Sequence, residues 1–189
     1  MIKQIAENVW KFYYHNFGSN CYLIRAENKK ILIDTSSSAN KGSLEADLRG
    51  LELDVSDIEL VLLTHLHYDH VGNLDLFKNA KIYASAQEIK DLKKSPSLAV
   101  LGNHDELRKM NLLEAGKLKL KAFRLVMVPG HTSGSIAFYM PKEKILFSGD
   151  TLFDEGIGRT DLPTSNAGKM EKSLAKLGKL GHRILCAGH

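Results

Sequence analysis

Apolar positions fall into short clusters along this chain. Residues 9–15 are rich in aromatic and β-forming side chains, and 20–25 (NCYLIR) and 30–33 (KILI) flank the polar Ala26-Glu27-Asn28-Lys29. Two such runs around a short polar break predict a β-hairpin. The second strand ends at Asp34 and gives way to a small polar loop over 35–40. A helix is expected over 43–51, with Ser43 as its N-cap. Residues 58–63 (IELVLL) are continuously apolar, as suits a strand buried on both faces. That run leads straight into Thr64-His65-Leu66-His67-Tyr68-Asp69-His70. A strand over 81–84 (KIYA) precedes a helix over 85–94, capped by Ser85 with Glu88 three residues on.

The second half repeats the theme. Residues 95–117 are mixed and polar and read as a loop with some helix, expected to form part of a substrate wall. A strand over 123–128 ends at Pro129-Gly130-His131. A hairpin of 135–140 and 144–147 turns around Pro141-Lys142-Glu143 and ends in Gly149-Asp150. Met170, Leu174, Leu177 and Leu180 lie on one stripe of an amphipathic helix over 166–179. A last strand over 183–187 ends in Gly188-His189. No linker, repeat or charge block divides the chain, so one domain over 1–189 is expected. Strands followed by helices in both halves predict an α/β (α+β) fold of four layers, αββα, with two sheets face to face and helices outside.

Composition changes little in this picture. With 189 residues the chain can bury a full core without disulfides. Lys plus Arg is 26 against 22 for Asp plus Glu, a formal charge of +4, and the basic residues are spread out. Such a mild excess slightly favours anionic small molecules and gives no reason to expect a nucleic-acid partner. Two cysteines make no disulfide framework, which points to a reducing compartment. The first residues lack the apolar stretch of a signal peptide, and no apolar run approaches membrane-spanning length. A soluble cytoplasmic protein with a small-molecule substrate and no membrane partner is expected. The oligomeric state is not fixed by the sequence.

The chemistry concentrates at strand ends. Five of the eight histidines lie there, with Asp69 and Asp150. Ligands collect beyond the carboxyl ends of strands, where loops converge. His65 and His67 are two apart, which in an extended segment puts both imidazoles on one side. Asp69 and His70 follow after a turn and can face a second point. Imidazole suits zinc or iron, and carboxylate adds charge compensation. The spacing differs from the helical His-Glu-x-x-His of zinc proteases. His15, His104 and His182 stand apart and read as ordinary surface or core residues. Cys21 and Cys186 read as small buried hydrophobes.

The series His65-x-His67-x-Asp69-His70, His131, Asp150, His189 resembles the ligand series of the metallo-β-lactamase superfamily, in order and rough spacing, across nearly the whole chain. The resemblance implies one metal on His65, His67 and His131, a second on Asp69, His70 and His189, and Asp150 bridging them. A carboxylate at the bridging position looks like the glyoxalase II (hydroxyacylglutathione hydrolase-like) branch, where many β-lactamases of this fold place a cysteine. Gly149-Asp150-Thr151-Leu152-Phe153 and Gly156-Ile157-Gly158-Arg159-Thr160-Asp161 are similar to that branch and to persulfide dioxygenases. Asp34 matches a family aspartate that supports the ligand histidines; its other reading is a cap for the turn it begins. Arg159 and Asp161 read as a pair holding the loop after Asp150. Tyr68, between ligands, either touches substrate or packs.

The implied cofactors are two divalent ions, zinc first, with iron or manganese as alternatives. The implied activity is hydrolysis of a thioester or related ester by a metal-bridging hydroxide, with one metal steadying the oxyanion. Asp69 is the catalytic candidate, orienting the hydroxide or carrying its proton onward. A thiolate leaves without much protonation, so a thioester is an easy substrate. A competing reading is a mononuclear iron persulfide dioxygenase on His65, His131 and Asp150. An RNA-processing nuclease of the same fold would need a basic stripe that the sequence lacks. A non-catalytic metal-binding protein is the fourth reading. Relatives usually continue past the last histidine, and a ligand at a chain end frays unless packing restrains it. The longer glyoxalase II enzymes carry a C-terminal helical domain for much of the glutathione contact. It is not in this sequence, so the acyl group and thiol carrier stay open.

Overall fold

The computed structural model describes residues 1–14 and 17–189. Four strands come first: β1 (Ile2–Ala6), β2 (Val9–Phe12), β3 (Cys21–Ala26) and β4 (Lys29–Ile33). Helix α1 (Lys41–Gly50) precedes β5 (Leu60–Leu62), and the short helix α2 (Tyr68–Val71) follows it. Next come β6 (Lys81–Ala84), α3 (Ala86–Lys94), α4 (Pro96–Val100), α5 (Asp105–Lys109) and β7 (Leu113–Glu114). The second half holds β8 (Arg124–Met127), β9 (Ile136–Met140), β10 (Ile145–Gly149), β11 (Leu152–Phe153), β12 (Gly156–Ile157), α6 (Ala167–Gly178) and β13 (Ile184–Ala187).

Strands β1 to β7 form one sheet in sequence order, and a second sheet runs β13-β10-β9-β8. Period-two alternation sends successive side chains to opposite faces. Tyr22, Ile24, Ile31, Ile33 and Leu62 of the large sheet therefore meet Ile136, Phe138, Ile145 and Phe147 of the small one. The intervening Leu23, Leu32 and Val61 pack with Leu44 and Leu48 of α1 and Leu92 of α3. Ala137, Tyr139 and Leu146 face Leu177 of α6. These three apolar clusters make the expected four-layer αββα sandwich. Cys21 and Cys186 are both buried in it, as expected.

Local boundaries moved for identifiable reasons. Helix α1 starts at Lys41, so Ser43 lies inside its first turn and caps nothing. A short 3-10 turn over Ser38–Asn40 feeds the helix, and the Asn40 amide bonds back to the hydroxyls of Ser36 and Ser37. Strand β1 was not expected, because its five residues carry only two large apolar side chains and the strand pairs on one side only, with β2. The β11–β12 hairpin has two residues per strand, too few for any periodicity. Strand β2 ends at Phe12, and His15 lies outside the described residues. Over 95–117 the expected loop with some helix forms, as α4 and α5, together with the unexpected two-residue strand β7 that pairs with β6. Among the described residues no helix is long and apolar enough to cross a membrane.

Candidate metal centre

Four strand ends deliver the candidate ligands. The chain leaving β5 reaches His65 after two residues, and His67 opens α2, which carries Asp69 and His70. His131 follows β8, Asp150 follows β10 directly, and His189 follows β13. All seven meet. His65 Nε2 and His131 Nε2 lie 3.1 and 2.9 Å from His67 Nδ1. Asp150 Oδ1 is 3.2 Å from His70 Nε2, while its Oδ2 is 3.5 Å from both His131 Nε2 and His189 Nε2. Asp69 Oδ2 is 3.3 Å from His189 Nε2. Three groups of donor atoms are close enough to share an ion: His65-His67-His131, Asp69-His70-His189, and His65-His70-Asp150. His104 and His182 join none of them among the described residues.

The outer ring nitrogens fix how the inner ones point. His131 Nδ1 donates to the carbonyl of Arg159 at 2.9 Å, and His70 Nδ1 to Asp34 Oδ2 at 2.8 Å. The Thr64 hydroxyl donates to Asp34 Oδ2 at 2.8 Å, so it can only accept from His65 Nδ1, 3.1 Å away. Carbonyl and carboxylate oxygens accept and never donate. With Nδ1 so engaged, each of these rings turns its Nε2 to the centre. His67 turns its Nδ1 to the Nε2 atoms of His65 and His131, and a single ring proton cannot serve all three of these buried nitrogens. Buried polar atoms left so are costly. Imidazole nitrogens and carboxylates aimed at one another are the donors that divalent zinc, iron or manganese take, and the residues fit such ions.

The two ends of the cluster differ in charge. Burial, then the neighbouring imidazoles, hold His65 well below the usual histidine range, and burial takes His67 down to about 3. Burial also lowers His131. At the other end burial again opposes protonation, but Asp150 and Asp34 outweigh it and hold His70 well above its ordinary value. Asp150 and Asp69 likewise overcome burial at His189 and raise it to about 9. Burial works against ionisation of Asp150, yet His70 and His189 keep it well below the usual carboxylate range. One end is a neutral nitrogen set, the other a set of paired charges.

Asp34 spends its carboxylate on Thr64 and His70 and not on the turn it begins. It sits at φ +56° in the turn after β4, its Oδ1 accepts from the Thr64 N–H at 2.8 Å, and its Oδ2 steers His70. Arg159 and Asp161 pair through two bonds of 2.9 and 2.8 Å. Tyr68 stands partly exposed with its Cβ against Gly102. His189 is restrained by its neighbours: the Gly188 N–H donates to the Gly149 carbonyl at 2.9 Å, and the Gly188 carbonyl accepts from the Asn20 N–H at 2.7 Å. A side chain at Gly188 would lie 2.0 Å from Asp150 Oδ1, so only glycine fits there.

Sequence reasoning missed one polar residue at the centre's rear. Glu88 was read only as part of a helix start. Ser85 does cap α3, accepting from the Glu88 N–H at 3.1 Å. The Glu88 carboxylate does not return to the cap; it is buried and accepts from Leu66, Thr132 and Gly134. Burial pushes it up to about 7 against those three donors. The available signal was an acid on the buried stripe of α3, one turn before Leu92.

Residues 16–189 match the metallo-beta-lactamase superfamily. A probable metallo-hydrolase of Streptococcus pyogenes is 34% identical over 177 residues, covering 86% of this chain and 74% of its own length. Hydroxyacylglutathione hydrolase GloC of Haemophilus influenzae is 36% identical over 188 residues, covering 92% of this chain and 86% of its own. The protein TTHA1623, solved in a di-iron-bound form, is similar with a TM-score of 0.72 and 26% identity, over 95% of this chain and 91% of that one. With the four-layer fold and the His/Asp cluster already in place, the chain belongs to the metallo-beta-lactamase superfamily.

Proposed function

We propose that this protein is a metal-dependent hydrolase that uses two ions to cleave a thioester or related ester of a small molecule. One observation carries the reading: Asp150 lies within 3.5 Å of a histidine from each of two separate donor groups. His65, His67 and His131 would hold one ion, Asp69, His70 and His189 the other, and Asp150 both. Two divalent ions there, zinc first with iron or manganese as alternatives, supply Lewis acidity and a water activated near neutral pH. Asp34 and the Arg159 carbonyl hold the imidazoles in the tautomer that leaves Nε2 bare. Asp69, kept ionised because His189 and His70 outweigh its burial, orients the attacking water and takes its proton. A thiolate leaving group asks for no buried acid. The hydroxyacylglutathione hydrolase among the relatives and the carboxylate at Asp150 support a thioester.

The test is metal content of protein purified without added metal or chelator, followed by a thioester and lactone panel. About two ions per chain with thioester turnover are expected. A single tightly held iron with oxygen uptake on a persulfide would overturn the hydrolase in favour of the dioxygenase.

A further inference from the structure

Glu88 lies on α3, outside every donor group, and is only 2% exposed. Its Oε2 accepts at 3.0 Å from the backbone N–H of Leu66, the residue between His65 and His67. Its Oε1 accepts from the Thr132 hydroxyl at 2.6 Å and the Gly134 N–H at 3.1 Å, just after His131. Leu66 belongs to the connection leaving β5 in the large sheet; Thr132 and Gly134 belong to the one leaving β8 in the small sheet. One carboxylate thus fastens the two sheets' contributions to the three-histidine group from behind.

The grip is built on both sides. The Ser133 hydroxyl donates to Asp91, one turn along the same helix. The Thr132 N–H donates to Ser135 Oγ at 3.1 Å, closing the loop on itself. Gly134 packs so tightly on α3 that an added Cβ would lie 2.7 Å from the Glu88 nitrogen and 2.8 Å from its Oε1. The other donor group has separate supports: Asp34 on His70, and the Gly149 and Asn20 contacts around Gly188.

We propose that Glu88 is a positioning residue that fixes the distance of His65 and His67 from His131, and so sets metal affinity at that three-histidine site selectively. The proposal rests on the two-ion reading above. The partners of ligand-bearing groups typically change metal affinity about 10–100-fold. In Glu88→Gln the amide oxygen serves Thr132 and Gly134, but its NH₂ then confronts the Leu66 N–H, donor against donor.

The experiment loads wild type, E88Q and T132V with cobalt(II) and follows its absorption during chelator competition, with melting of each metal-free protein alongside. In E88Q one of the two ions should leave at roughly tenfold lower chelator with altered cobalt bands, the other staying within about twofold. Thr132→Val should move the same ion less. In a His189→Ala background, where the three-histidine site remains, E88Q should weaken the remaining ion. A wild type that takes up no cobalt sinks the two-ion reading and this proposal with it. A wild type with two ions, and an E88Q that keeps both affinities and the bands while only melting earlier, overturns Glu88's role alone. Should E88Q not fold, T132V decides: unchanged affinities for both ions overturn the proposal.

Discussion

Asp34 accepts three hydrogen bonds of 2.8 Å, from the N–H and hydroxyl of Thr64 and from His70 Nδ1. Asp34→Ala leaves these donors buried without an acceptor, at a cost of about 1–3 kcal/mol for each unsatisfied group. His70 also loses what fixes its tautomer. Metal affinity at the Asp69-His70-His189 group should fall about 10–100-fold in chelator competition; an unchanged affinity would mean His70 is oriented by its packing. The buried thiols give a second outcome at this scale. Burial pushes Cys186 up to about 12 and Cys21 well above the ordinary range. The thiolate is the reacting species, so alkylation of native protein should be slow and should keep climbing, about tenfold per pH unit, through about pH 10 without levelling off. Both cysteines should react once the chain is denatured. A native-state rate that levels off above about pH 8.5, the ordinary thiol value, would contradict the burial. The candidate ligands were legible residue by residue because histidine and aspartate at strand ends form a compound pattern. Glu88 was not, because its partners lie 22, 44 and 46 positions away, and nothing local announces them.

Helix α6 shows how an element far from the chemistry shapes it. Its cap Asn166 accepts from the Lys169 N–H at 2.8 Å and donates its own N–H to the Gly130 carbonyl. Ser173 donates to the Pro129 carbonyl at 2.8 Å, and Ser165, just ahead of the helix, to that of His131 at 2.6 Å. The loop that presents His131 is therefore braced by this helix. Leu177 anchors the helix to the small sheet and is fully buried. Leu177→Ala should cost about 2–5 kcal/mol in denaturant unfolding, from lost transfer energy and the cavity left behind. A loss below about 1 kcal/mol would show that the helix is not packed as described. This helix was readable because Met170, Leu174, Leu177 and Leu180 recur at helical spacing. The start of α1 was not, since Ser43 offers a good cap in sequence while the 3-10 turn before it fixes an earlier start. Strand β1 and the β11–β12 hairpin are set by their partners, and short half-polar strands carry little signal of their own.

Across the whole molecule the donor groups couple the two sheets. His65, His67, Asp69 and His70 follow β5 of the large sheet; His131, Asp150 and His189 follow β8, β10 and β13 of the small one. An ion shared between the two sets joins layers that also meet through apolar contacts such as Tyr22 on Phe147, ring centroids 5.2 Å apart. Unfolding must then release the ion, and a ligand that binds only the folded state stabilises by RT ln(1 + [L]/Kd), about 2.7 kcal/mol at roughly 100 times Kd. For a chain of this length each kcal/mol is worth about 2–4 °C. Stripping one ion held at that excess should therefore lower the melting temperature by roughly 5–10 °C. The expected curve rises with the logarithm of free zinc and shows no plateau below the solubility limit. Unfolded chain competes weakly, because it offers only two cysteines beside its histidines. A melting temperature indifferent to chelator and to added zinc, iron or manganese would mean that the sheets hold these side chains in place without an ion. The converging lone pairs of His65, His67 and His131 would then need a proton or a water between them, and the hydrolase reading would lose its physical basis.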